Sequence, residues 1–460
     1  MFIGRQKELS LLEGAYAGKQ STVIPVYGRR RVGKSELILK FLGHKPGIYY
    51  LGKMAPAPLQ IREFLQEAAL ALDEPLLSSL TTNSWAEVFA AVSNKCKSKG
   101  KFVIALDEFQ WMVGASPELP SVIQEYWDRF WKDSGNMVII LCGSYIGFME
   151  REVLGRKSPL FGRRTAQILL RPFSYLEAAE FHPRWSLLNR VLAYFICDGI
   201  PLYLRFFDEA HSVERNIEEK LLDEFGPLFR EPDFLVREEL RDVENYYAVL
   251  TAVAAGHANN QAIAAQTGIP ERSLHYYIQQ LSSLGYIGRR LPLTGKKPNP
   301  RQVRYVLQDP LLCFWFRFVF PNLSFIQQMG PRRALRTRIR PELDTYFGLC
   351  FERLCRQALP VIYDREGVSA AFEVGEYWDK EVQIDVVGLR DDHWTDLGEC
   401  KWGAVRSHNK LLKDLERKVQ AYPNMRGATI GKRVFLRKRP GAKVTGISGV
   451  NWYGLEDLYG

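Results

Sequence analysis

An apolar run, Thr22-Val-Ile-Pro-Val-Tyr27, breaks at Gly28 and gives way to a helical pattern from Ser35 onward. The eight residues that join them read Gly28-Arg29-Arg30-Arg31-Val32-Gly33-Lys34-Ser35. This is the pattern G-x-x-x-x-G-K-S, and few local patterns restrict a fold more. A strand feeding a glycine-bounded loop and then a helix belongs in a parallel α/β layer. The glycines let backbone N–H groups curl round an anion, and the helix aims its positive end at the same point. The expectation is a phosphate cradle from Gly28 through Glu36, with Lys34 on the β- and γ-phosphates of ATP and Ser35 on Mg²⁺.

Two further apolar runs supply the rest of such a site. Lys101–Trp111 (KFVIALDEFQW) is a strand ending in two acids. Asp107 there would hold Mg²⁺, and Glu108 would orient or deprotonate the attacking water. Asn136–Ser144 (NMVIILCGS) is a third strand, ending in Ser144, which suits a group touching the γ-phosphate or the water. Three apolar strands separated by helical segments predict a parallel sheet whose C-terminal strand ends carry all three motifs.

These motifs, together with FIGRQKELSLL at the start, CGSYIGFM and SPLFGRRT, resemble the archaeal-type AAA+ ATPases, relatives of the origin-recognition and STAND NTPases. The resemblance covers at least residues 1–205. It implies an adenine contact near Ile3, Gly4 and Arg5. It also implies a homo-oligomer in which Arg163, or next to it Arg164, acts as a finger on a neighbouring protomer's nucleotide. Pairing of both arginines with surface carboxylates is the competing reading. One departure stands out: Ile196–Leu204 (ICDGIPLYL), where such proteins often carry a lid arginine, has none.

The region after residue 171 is helical, with Ser174 as N-cap and Glu177 completing a capping box. Helical spacing then predicts helices at 246–255, 260–266 and 270–284, followed by two strands round the loop PLTGKKPNPRQ: a winged helix. Glu271, Arg272, Ser273, His275, Tyr276 and Gln279 form its candidate DNA-reading face, and Lys296, Lys297 and Arg301 its basic wing. A packing role between domains fits the same pattern. Arg332, Arg333, Arg336, Arg338 and Arg340 lie on a further helical stretch, as a phosphate track or as a solvated, ion-paired face.

From about residue 341 the pattern is helix, three strands, helix, strand. Period-two alternation sends Glu399 and Lys401 to one sheet face, with Asp385 on the preceding strand. This arrangement resembles the PD-(D/E)XK nuclease fold over roughly residues 341–440. The resemblance implies that Asp385 and Glu399 ligate Mg²⁺, that Lys401 positions or activates water, and that Glu352 is a helix-borne acid. The competing reading is a buried ion pair.

The chain is thus read as α/β. Residues 1–172 form a P-loop NTPase parallel sheet, 173–240 a helical lid, 241–310 a winged helix-turn-helix, 311–340 a linker and 341–460 an α/β restriction-endonuclease-like domain. With 46% hydrophobic and 25% charged residues it is globular. A net charge of +10 favours a polyanionic partner, most simply DNA. Seven scattered cysteines, no CxxC and no long apolar run point to a reducing, cytoplasmic setting without a membrane span. ATP hydrolysis coupled to DNA, with a metal-dependent nuclease, is the leading expectation. A nucleotide-dependent switch whose C-terminal domain only binds DNA or protein is the alternative.

Overall fold

The computed structural model describes residues 2–96, 99–296, 299, 302–441, 444 and 449–460. Two compact units divide the chain: Met1–Phe173 with Ile200–Leu202, and Ser174–Gly199 with Tyr203–Gly460. Lys297 and Arg301, two of the expected wing cations, lie outside the described residues.

The first unit is built on five strands rather than the three expected. They are β1 (Thr22–Tyr27), β2 (Gly47–Leu51), β3 (Phe102–Asp107), β4 (Met137–Gly143) and β5 (Ile168–Leu169), all parallel, in the order β2-β3-β4-β1-β5. The two additional strands are short and partly exposed, so they lack the continuous apolar signature that reveals β3 and β4, buried throughout. Register brings the strand ends together: Tyr27 lies opposite Gly143, and Leu51 opposite Asp107. One face packs on an aromatic cluster in which Phe64 meets Trp85 edge-on at 5.5 Å and Phe89 meets Trp131 at 5.4 Å.

In the second unit, Ser174 and Glu177 form the expected capping box. Helices Glu244–Ala254, Asn260–Thr267 and Glu271–Ser283 precede an antiparallel hairpin of β6 (Ile287–Arg290) and β7 (Arg304–Leu307), with Ile287 opposite Leu307. A helical stretch leads into the helix Arg340–Arg365, longer at both ends than its apolar centre foretold. A mixed sheet follows: β8 (Phe372–Trp378), β9 (Gln383–Arg390), β10 (Trp394–Lys401), β11 (Thr429–Leu436) and β12 (Val450–Tyr453). Its order is β12-β11-β10-β9-β8, antiparallel from β8 to β10 and parallel from β10 to β12. The helix His408–Ala421 is the crossover that a parallel β10–β11 pair requires. Among the described residues no helix is long and apolar enough to cross a membrane, and the seven cysteines are unbridged.

Candidate functional site

The loop after β1 is shaped by two glycines. Gly28 passes so close to the strand-end backbone that a Cβ there would stand 2.2 Å from the Leu170 carbonyl oxygen. Gly33 adopts φ +89° where the helix Lys34–Leu42 begins. Arg31, with φ +69°, takes the left-handed turn between them. Lys34 is buried beneath this loop, its Nζ donating to the carbonyls of Gly28 (3.0 Å) and Arg29 (2.9 Å). Burial lowers its pKa, and the neighbouring Cys142, Glu108 and Asp107 counteract that shift.

Asp107 is fully buried at the end of β3. Its Oδ1 accepts the Glu108 amide at 2.8 Å, and its Oδ2 accepts the hydroxyl of Tyr49 at 2.7 Å. Tyr49, on β2, also hydrogen-bonds Ser35; burial first, and the Asp107 charge second, raise its pKa. Ser35, Tyr49 and Asp107 thus form one oxygen-rich group beside the loop. Such donors suit a hard cation, so Ser35 and Asp107 fit the expected Mg²⁺ role. Tyr49 escaped sequence reasoning because its strand carries no motif.

Glu108 takes the left-handed φ of +49° at the start of the helix Phe109–Ala115. Its Oε2 accepts hydrogen bonds from the Ser144 hydroxyl at 2.7 Å and from the Gln110 amide, which also donates to Ser144 at 3.0 Å. Ser144 follows β4 directly and is buried. The expected base and the expected sensor are therefore bonded directly to each other, and Gln110, which the sequence did not flag, bonds both.

Two other expected site residues are engaged within the chain. Arg5 stands next to Ile3 and Gly4, yet its guanidinium is committed to protein: it donates to the carbonyls of Val32 (3.1 Å) and Arg171 (2.8 Å) and lies 3.9 Å from the Phe173 ring centroid. It pins the loop to the end of the unit. Arg163 is held within its own chain, forking onto Asp128 at 2.7–3.1 Å and donating to the Pro159 carbonyl at 2.8 Å. Arg164 beside it is exposed.

In the second unit, Glu271, Arg272, Ser273, His275, Tyr276 and Gln279 all lie on the exposed face of their helix, as does Lys296 in the loop beyond β6. Leu274, Ile278 and Leu281 fill the opposite face. Of the arginine stretch, Arg340 pairs with Glu214 at 3.5 Å and Arg338 lies 4.8 Å from the Phe325 ring centroid, while Arg332, Arg333 and Arg336 are exposed.

The C-terminal acids do converge. Asp385 on β9 is buried, its Oδ2 accepting the Cys400 amide at 3.0 Å. Glu399 on β10 is 2% exposed, and each of its oxygens meets an ammonium: Lys401 at 2.7 Å and Lys418, from the crossover helix, at 2.5 Å. Burial, then the charge of Glu399, raises Asp385. Burial, then Asp385, pushes Glu352 up to about 8. Burial opposes ionisation of Lys401, but Glu399 raises its pKa overall. Among the described residues no three Asp, Glu, His or Cys side chains are arranged to hold a metal ion. With both Glu399 oxygens on ammonium groups, these side chains stand as an ion-pair network in this arrangement. Lys418 escaped sequence reasoning because nothing in a basic helix marks which lysine turns inward.

Comparison with known proteins agrees with the first half of this geometry. Residues 2–205 match a family described as "ATPase domain predominantly from Archaea". Residues 315–412 match one described as "Archaea bacterial proteins of unknown function". An uncharacterized protein of Methanocaldococcus jannaschii is 29% identical over 422 residues, 91% of this chain and 92% of its own length. An uncharacterized ATP-binding protein of the same organism is 49% identical over 45 residues, 10% of this chain and 76% of its own. Among solved structures, a walker-type ATPase of Pyrococcus abyssi aligns with a TM-score of 0.53 at 22% identity, over 68% of this chain and 96% of its own. That last likeness concerns the fold. Residues 2–205 are an archaeal P-loop ATPase domain.

Proposed function

We propose that the chain hydrolyses ATP in its first unit and engages DNA through its second. The observation that carries the first half is the convergence of Lys34, the Ser35–Tyr49–Asp107 group and Glu108 beside the phosphate loop, from β1, β2 and β3 of one sheet. Lys34 leaves the Gly28 and Arg29 carbonyls for the β- and γ-phosphates when nucleotide enters, and the loop from Gly28 to Glu36 wraps them. Mg²⁺ held by Ser35 and Asp107 would neutralise phosphate charge. Glu108 takes the proton of the attacking water once Ser144 and Gln110 release it. Arg163 reaches a neighbouring protomer's nucleotide in a homo-oligomer after leaving Asp128; an exposed ion pair is weak enough, ~0–1 kcal/mol, to permit that exchange. Ile3 and Gly4 flank the adenine.

The exposed Glu271–Gln279 helix face, the following hairpin as a winged helix, and the net charge of +10 support DNA as the partner. A second reading, cleavage by the cluster of Glu352, Asp385, Glu399 and Lys401, is favoured by the mixed sheet order and by the meeting of those side chains on adjacent elements. The observed network opposes it in its present arrangement, which leaves the DNA-binding switch as the alternative to a nuclease.

Turnover by purified protein, beside a Lys34→Ala variant, tests the ATPase: equal rates would remove the loop from catalysis. DNA affinity measured against salt tests the partner, since phosphate contacts require affinity to fall as salt rises. Plasmid nicking that persists unchanged in Asp385→Asn would exclude this cluster from cleavage.

A further inference from the structure

A cavity of about 250 Å³ opens in the second unit between the helix Glu244–Ala254, the β6–β7 hairpin, the helix Arg340–Arg365 and strands β8 and β9. Five arginines line it, Arg290, Arg304, Arg317, Arg353 and Arg356, against two carboxyl side chains, Glu352 and Glu376. The acids do not balance them. Glu376 is shared between Arg290 (3.1 Å) and Arg356 (3.4 Å). Arg353 is neutralised from outside the cavity by Asp198 at 3.2 Å.

The other two cations are under-compensated. Arg317 meets Glu342 at 3.5 Å, but that glutamate is 59% exposed, and the buried Nε of Arg317 has no hydrogen-bond partner. Arg304 donates to the neutral amide of Gln383 at 3.0 Å and lies 4.4 Å from the Trp378 ring centroid. Among the described residues it pairs with no carboxylate.

A desolvated guanidinium without a full counter-charge is costly unless a ligand supplies one. Val253, Leu307 and Leu349 give the remaining wall an apolar character. Positive charge with apolar walls suits an anion that carries a ring or other apolar body. Guanidinium forks match phosphate oxygens, and their flat faces stack on aromatic rings. The volume lies below the roughly 300–1,000 Å³ of pockets for drug-sized ligands, so it fits one nucleotide-sized group and excludes a duplex. Glu352 lines this cavity and also feels Asp385 and Glu399, so the cavity adjoins the acid–lysine cluster.

We propose that this cavity binds a single nucleoside 5′-monophosphate group, with Arg304 and Arg317 on the phosphate. The group is either a free nucleotide or the 5′-phosphorylated end of a DNA strand; the strand-end source rests on the DNA reading above, and the free source stands without it.

The test uses the full chain and two single-stranded decanucleotides labelled at the 3′ end, one with a 5′-phosphate and one with a 5′-hydroxyl. Thymidine 5′-monophosphate is titrated separately by calorimetry. Arg304→Gln removes the phosphate contact. Leu349→Trp fills the cavity from a rim position that is 51% exposed, where the fold tolerates bulk. Circular dichroism and a urea transition of the second unit that match the unsubstituted chain report that both variants are folded.

The expected result is a preference of roughly tenfold or more for the 5′-phosphate, the worth of one charged hydrogen bond, abolished by both variants. Monophosphate binding that is lost in Arg304→Gln and kept in Lys34→Ala supports the free source. If that occurs while neither strand binds, the cavity assignment stands and the DNA reading falls. Equal affinity for the two strands, together with monophosphate binding that is absent or indifferent to Arg304→Gln, overturns the assignment.

Discussion

The hydroxyl of Ser144 donates to the carboxylate of Glu108 at 2.7 Å, so the acid that should accept a proton from water is already occupied. Gln110 holds the same oxygen and bonds Ser144 as well. Turnover requires that this triangle open. Glu108→Gln should lower ATP turnover by about 10²-fold or more, the ordinary worth of a general base. Ser144→Ala should raise basal turnover by removing one of the two donors that occupy Glu108, and a fall of the same size as in Glu108→Gln would instead make Ser144 part of the chemistry. Steady-state phosphate release distinguishes the two.

Arg5 is a clasp on the phosphate loop. Arg5→Ala leaves the buried carbonyl of Val32 and the part-buried carbonyl of Arg171 without this donor and uncovers Phe173. A loss of roughly 2–3 kcal/mol is expected from one charged donor. Thermal unfolding should show a lowered midpoint for the first unit, with Arg5→Lys recovering only part of it, since one ammonium cannot reproduce the planar fork.

Lys418 and Lys401 both pair with Glu399, but in different surroundings. The Lys418 side chain is 15% exposed and that of Lys401 47%. Lys418→Met should therefore destabilise the second unit by about 1–3 kcal/mol, short of the ~3–5 kcal/mol for stripping a buried charge of every partner, because Lys401 remains. Lys401→Met should cost under about 1 kcal/mol. Urea unfolding of the two variants gives the order; the reverse order would mean that Lys401 is the structural partner.

Glu352 gives a pH signature. Its pKa rises from an ordinary 4.5 to about 8 in the folded chain. Below about 4.5 it is protonated in both states and exerts no pH-dependent penalty. Between about 4.5 and 8 the unfolded chain ionises it while the fold keeps the proton, so the native state loses stability as pH rises, and above about 8 the full penalty is present. Glu352→Gln should thus gain on the native chain progressively from pH 5 to pH 8 in urea unfolding. A pH-independent difference between the two proteins would show that Glu352 is not held protonated. Asp385→Asn should shift the Glu352 titration downward, since Asp385 is the largest charge acting against it.

Arg163 and Asp128 form an exposed pair whose loss should change stability by no more than ~1 kcal/mol. If Arg163 acts across a protomer boundary, Asp128→Asn should raise turnover in a concentration-dependent way, and Arg163→Ala should abolish that dependence.

Sequence alone determined the parts whose geometry is local. Gly28 and Gly33 announce the loop because their backbone conformations and close contacts exclude a side chain. Asp107 follows directly from an apolar strand, and Glu399 and Lys401 share a face because strands alternate. Tertiary structure decided what those groups touch. Tyr49 reaches Asp107 from 58 residues away, Lys418 reaches Glu399 across 19, and Arg163 reaches Asp128 across 35. No periodicity encodes such meetings, because they depend on which strands become neighbours and which side of a helix turns inward. The arginine-lined cavity belongs to the same class: its five cations come from four elements far apart in sequence, and only folding brings them round one space. Charge balance at a buried site is a property of that space, and a chain's total charge carries no record of it.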